Sequence, residues 1–188
     1  AGGKSLLCNS DTEGCINSLN TVNWYFGSKV VSGTVYSDEG STPLTGVTVA
    51  LDVNGARLAT TAVTSTGFYV FPGLRLTGAV VTAYIDGSSS HKGVTVTVVT
   101  GGTISALHIY KNNLIIRTDS GSMALTNADL NTADNSGDAD IKAIYVVDGS
   151  DVLQVAAGKQ LYVLSGETFV PGGNVKTHDL KVQGTMTM

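Results

Sequence analysis

The chain is poor in charge, aromatic rings, cysteine and proline. Of 188 residues, 14% are charged and 6% aromatic, with two Cys, three Pro and one Trp. A disordered chain has the reverse composition, much charge and few β-branched residues, so the sequence reads as folded. Helical bundles and coiled coils are rich in Glu, Lys, Leu and Ala, so scarce charge argues against them too. Basic residues are in the minority: 11 Lys and Arg against 15 Asp and Glu, a net charge of −4. That balance lacks the basic surface of a nucleic-acid binder, and no nucleic-acid partner is expected. No apolar run approaches the roughly 18 residues of a membrane-spanning helix, so no span is expected either.

Catalytic patterns are also missing. His91, His108 and His178 stand far apart and form no H-x-H or H-E-x-x-H pattern. No G-x-S-x-G elbow and no G-x-x-x-x-G-K-[ST] loop occurs. The expectation is therefore a protein that is not an enzyme and carries no cofactor.

What is abundant is Gly, Thr and Val, at 23 each. From Lys29 onward the pattern is one of short strands between turns. VVSGTVYS (30–37), VTVALDV (47–53), ARLATTAVT (56–64), FYVF (68–71), AVVTAYI (79–85), GVTVTVV (93–99) and ISALHIY (104–110) follow at intervals of about ten residues. Asn54–Gly55 marks a hairpin, and the turn at 100–102 suggests a second one joining 93–99 to 104–110. This spacing predicts a β-sandwich or barrel. Beyond residue 112 the texture changes. ALTNADLNTADN (124–135) is the one helical segment, with a cap at Thr126 or Asn127. Strand-like segments then recur every seven to ten residues, each closed by Gly at 149, 158, 166, 172–173 and 184. Such segments form either a short solenoid of stacked rungs or a second antiparallel sandwich. The expected fold class is all-β in three parts: an N-terminal arm with a Cys loop (1–28), a seven-stranded Ig/transthyretin-like sandwich (29–112), and a second β-rich domain (113–188).

The segments VSGTVYS (31–37), PLTGVTVAL (43–51) and TTAVTSTGFYVFPGL (60–74) carry a resemblance over about residues 29–87. Their order and spacing are similar to the carboxypeptidase regulatory-like family, transthyretin-like sandwiches related in shape to Cna B-type repeats. The resemblance implies a seven-stranded sandwich with no catalytic centre, serving as a spacer, adhesive module or folding aid in secreted proteins. Residues 161–185 resemble segments of microbial cell-surface proteins built from β-strand arrays, which implies an extracellular setting.

Two further observations point the same way. The first residue is Ala1, the small residue that signal-peptide cleavage leaves. Cys8 and Cys15 close a short polar loop, the expected pattern of a disulfide in an oxidising compartment. The arm that follows carries Ile16, Leu19, Val22, Trp24 and Phe26, and from Val22 to Phe26 the apolar residues alternate as in a strand. Strand addition to a neighbouring copy is the chemistry such an arm suits, and head-to-tail joints of that kind build fibres. The expected function is a structural subunit of a cell-surface filament or layer, its partner a second copy bound through the arm. The alternative is an adhesion module for glycans or other surface proteins, with Trp24, Tyr25 and Tyr84 stacking on sugar rings. Asp129, Asp134, Asp138 and Asp140 crowd into twelve residues. They form either a calcium site of hard oxygen ligands or an ordinary exposed turn, and the turn is the simpler reading.

Overall fold

The computed structural model describes residues 29–74, 76–121, 123–134 and 137–188. Cys8, Cys15 and the arm residues Ile16, Leu19, Val22, Trp24 and Phe26 lie outside the described residues, so the expected disulfide and docking strand do too. Strands make up 47% of the described residues and helix 8%, which places the chain in the all-β class.

Seven strands fall between Lys29 and Tyr110: β1 (Lys29–Tyr36), β2 (Thr48–Val53), β3 (Ala56–Ala62), β4 (Phe68–Leu74), β5 (Ala79–Asp86), β6 (Val94–Val99) and β7 (Ile109–Tyr110). The order β4-β1-β7 makes a small sheet. β3-β2-β5-β6 forms part of a larger sheet, which continues through β8 (Asn113–Asp119), β11 (Gln160–Val163) and β14 (Asp179–Val182). The β2–β3 hairpin turns at Asn54 and Gly55, both at positive φ (50° and 73°), as a tight primed turn requires. The second expected hairpin does not form. Residues 104–110 cross to the small sheet, where Ile104 and Ile109 pair in parallel with Val31 and Val35 of β1. β6 pairs instead with β8, also in parallel. The hydrogen-bonded ladder thus runs straight through the expected boundary at residues 112 and 113.

The large sheet separates two cores, and strand parity assigns each side chain to one of them. Val49 and Leu51 of β2, with Val81, Ala83 and Ile85 of β5, face Val31, Val35, Tyr69, Phe71 and Ile109 of the small sheet. The alternate positions Ala50, Val80, Tyr84, Val94, Val96 and Val98 face the other way, toward Leu114, Ile116, Leu130, Ile141, Leu153, Leu161 and Phe169. Side chains of a strand point to opposite faces in turn, so β5 and β6, covered on both sides, are buried along their length.

The C-terminal strands stack as rungs. β10 (Leu153–Val155), β11 and β12 (Thr168–Phe169) form one rung; β13 (Val175–Lys176), β14 and β15 (Thr185–Met186) form the next. All three pairs are parallel and in register, including Leu153↔Val175, Leu161↔Leu180 and Phe169↔Met186. β8 stands one rung before them, pairing Leu114 with Leu161 and Ile116 with Val163. β9 (Tyr145–Val147) is an antiparallel neighbour of β10. Two helices, α1 (Asn127–Asp134) and α2 (Ala139–Lys142), are inserted between β8 and β9 and supply Leu130, Ala133 and Ile141 to the core. α1 falls within the expected helical segment 124–135, and α2 is a second, short helix that the sequence pattern does not predict.

Asn127, fully buried, fastens the turns of this stack. Its side-chain amide donates to the carbonyls of Asp151 (2.8 Å) and Asn174 (3.1 Å), which precede successive rungs. Thr126 and Asp129 cap α1 reciprocally: the Asp129 carboxylate accepts from the Thr126 N–H (2.9 Å) and hydroxyl (2.7 Å). The Asp129 N–H in turn donates to the Thr126 hydroxyl (3.2 Å).

Candidate assembly surface and the acidic network

A strand at a sheet edge offers a row of unpaired N–H and C=O groups to another chain. The large sheet ends at β3 on one side and β14 on the other. β3 is exposed along much of its length, and Leu58 is its one large apolar residue. β14 carries two, Leu180 (48% exposed) and Val182 (41%), on the rows that Leu161 and Val163 bury one rung earlier. Val175 and Met186 of the same final rung are only partly buried against the core, and Met188 is exposed. The apolar interior of the rung stack therefore opens onto the surface at this end. The rows on the opposite face of these strands differ: Asn113, Gln160 and Asp179 form one, Ile115, Tyr162 and Lys181 the next. Lys181 lies over the Tyr162 ring at 4.5 Å and pairs with Glu39, which ties the loop after β1 to the last rung.

The edge of the small sheet, β4, exposes Phe68 and Val70 on its outer face. Pro72 lacks an N–H and Gly73 sits at φ 77°, so regular pairing cannot extend along that strand.

The four aspartates weighed as calcium ligands or as an ordinary turn are drawn to separate tasks. Asp129 caps α1, as above. Asp134 is partly buried, which pushes its carboxyl above the usual range. Asp138 caps α2 by accepting from the Asp140 N–H at 2.7 Å, and its other oxygen accepts from Arg57 at 2.6 Å. Asp140 accepts from the Gly87 N–H at 2.7 Å and pairs with Lys92. No group of three or more carboxylates, histidines or cysteines converges on a metal position among the described residues.

The stretch locks α2 onto the large sheet, through a network of side chains drawn from separate strands and loops. Arg57 bonds Asp52 (3.2 Å), Asp86 (3.1 Å) and Asp138 (2.6 Å), and also the Tyr84 hydroxyl. Burial works against the guanidinium charge, but Tyr84 and the carboxylates outweigh it and raise its pKa. Tyr84 is fully buried with Arg57 over its ring at 5.2 Å, so it offers no face to a sugar, contrary to the stacking role expected for it. Burial, and then the Asp52 charge, push its hydroxyl far above the ordinary tyrosine range. Asp52 and Arg57 are five residues apart across a hairpin, and that spacing was the one readable clue.

A separate open cleft of about 560 Å³ lies where the loop after β1 meets the starts of the parallel strands. Asp38, Glu39, Lys111, Asn113, Gln160 and Asp179 line it. Asp38 holds its own loop by accepting from the N–H groups of Thr42, Ser41 and Gly40, which brings its carboxyl down to about 2. No helix among the described residues is long and apolar enough to cross a membrane. Compared with known protein families, curated proteins and solved structures, the chain matches none.

Proposed function

We propose that this chain is an extracellular structural subunit of a cell-surface filament or layer, joined to the next copy by strand addition of the arm, residues 1–28. The observation that carries the reading is the pair of open edges on one long sheet. An N-terminal segment whose sequence has strand-like apolar alternation, together with a partly apolar sheet edge that has no partner among the described residues, supplies both halves of a head-to-tail joint. Such a joint does not close on itself, so it propagates.

In this reading the first seven strands act as a carboxypeptidase regulatory-like spacer, and the parallel rungs as a short solenoid that stiffens it. The three-plus-four strand arrangement around one core supports the first assignment, the in-register parallel pairs the second. Sedimentation and circular dichroism on chains with and without residues 1–28 test the proposal. Loss of assembly with the β-structure kept supports it. Loss of the β-structure would make the arm part of its own subunit's core.

Adhesion to glycans is the second reading, and the polar cleft beside Asp38 and Asp179 is the feature that favours it. Binding on a glycan array by a chain that stays monomeric at every concentration would put adhesion first.

A further inference from the structure

We infer that the acceptor for the arm is the final rung, and that residues 23–26 of a second copy lie along β14 as one more rung. The inference rests on the assembly reading above and adds the acceptor and its register. Three segments already stack in parallel at this place: Asn113-Leu114-Ile115-Ile116, Gln160-Leu161-Tyr162-Val163 and Asp179-Leu180-Lys181-Val182. Each begins with an amide or carboxylate side chain and carries large aliphatic residues at its second and fourth positions, which face the interior row. The arm contains Asn23-Trp24-Tyr25-Phe26, which likewise begins with an amide and has large apolar residues at its second and fourth positions; its ring at the third matches Tyr162 of the middle segment.

Laid in that register, Trp24 covers Leu180 and Phe26 covers Val182, the two apolar side chains that the last rung leaves about half exposed. Tyr25 then falls on the opposite-face row beside Lys181, which already rests on the Tyr162 ring at 4.5 Å. A second ring there encloses the ammonium between two aromatic faces. Asn23 meets Asp179, extending the polar row that begins at Asn113 and Gln160. The other open edges fit less well. β3 presents a single large apolar residue, Leu58, and β4 is interrupted by Pro72.

Complementary variants of the full chain test this. Leu180→Asp with Val182→Asp spoils the acceptor, and Trp24→Ala with Phe26→Ala spoils the strand. Leu58→Asp is the control at the opposite edge. All three variant proteins are checked for unchanged circular dichroism before use. Each of the first two double variants should remain monomeric, with the dissociation constant raised about a hundredfold or more, while the control assembles normally. Mixed together, the two defective proteins should form one-to-one dimers and nothing longer, since only one joint per pair is intact. The mixture guards against misfolding, because a misfolded acceptor variant would not donate its arm. Assembly lost in the arm variant but kept in the Leu180/Val182 variant would overturn the acceptor and leave the assembly reading standing. Assembly kept in the arm variant would overturn both. Loss of assembly in the Leu58 variant, with the Leu180/Val182 variant unaffected, would move the acceptor to β3.

Discussion

Asn127 offers a sharp test of the rung stack, because the account assigns its amide a donor's task that no isostere can perform. Its Nδ2 donates to the carbonyls of Asp151 and Asn174 at 2.8 and 3.1 Å, while its own Oδ1 is buried with no partner among the described residues. In Asn127→Leu both donated bonds vanish. The Asn174 carbonyl keeps its bond from the Leu153 N–H, so the main loss is at Asp151, and removing the orphaned Oδ1 gives some stability back. At about 1–3 kcal/mol per buried group left unpaired, the net cost is about 1–2 kcal/mol. Asn127→Asp has the same shape and a much larger cost. It sets a carboxylate oxygen against two carbonyl oxygens in a site with no exposed surface, and an uncompensated buried charge costs about 3–5 kcal/mol. For a domain of this size that lowers Tm by roughly 6–20 °C. The new carboxyl has a folded-state pKa above its unfolded value. Its penalty is therefore full at neutral pH and shrinks as pH falls through the folded pKa. Urea titrations of the three proteins from pH 7 to pH 4 measure this. The reasoning is refuted if Asn127→Asp lies within about 1 kcal/mol of the parent at pH 7, or if the gap between them does not narrow in acid.

Other perturbations have equally definite outcomes. Burial, and next the charge of Arg117, hold the His108 imidazole below its ordinary pKa, and its Nδ1 accepts from the Thr34 N–H at 3.1 Å. The neutral ring is the folded form, so its contribution is complete above about pH 6.5 and is lost as pH falls through the lowered value. His108→Gln should flatten the stability profile in that window, and an unchanged profile would exclude His108 as the cause. Gly33 packs where β1 passes residues 104–109: a methyl group there would overlap the Leu107 carbonyl and come within 2.9 Å of the Tyr69 hydroxyl. Gly33→Ala should cost about 2 kcal/mol or more in a denaturant titration, and a neutral result would mean the two segments separate readily.

The parts of the fold that were legible are those written in local pattern. Alternation in VTVALDV, the Asn54–Gly55 turn and the Thr126 cap each correspond to an observed element, because each depends on neighbours within a few residues. Pairing partners were not legible. Residues 93–99 and 104–110 look like a hairpin, yet β6 joins β8 and the later segment joins β1, since register over long distances is set by which faces can be buried together. Thr95 and Thr97 alternate with valines in β6. Both are buried, and their hydroxyls are satisfied by the His108 carbonyl (2.6 Å) and Asp119 (2.8 Å). The crowded aspartates at 129–140 were visible as a group, but their partners Arg57, Gly87 and Lys92 come from other strands and loops. The apolar end at Leu180 and Val182 has the alternation of an ordinary half-buried strand, and only the fold shows that no rung covers it among the described residues.

The central claim is that copies of this chain join head to tail. Sedimentation velocity over a concentration series of the full-length protein, with electron microscopy of the same samples, addresses it most directly. The account predicts species that lengthen continuously with concentration and appear as unbranched filaments one subunit wide. A single monomer peak at every concentration, or a closed dimer that grows no further, would contradict it.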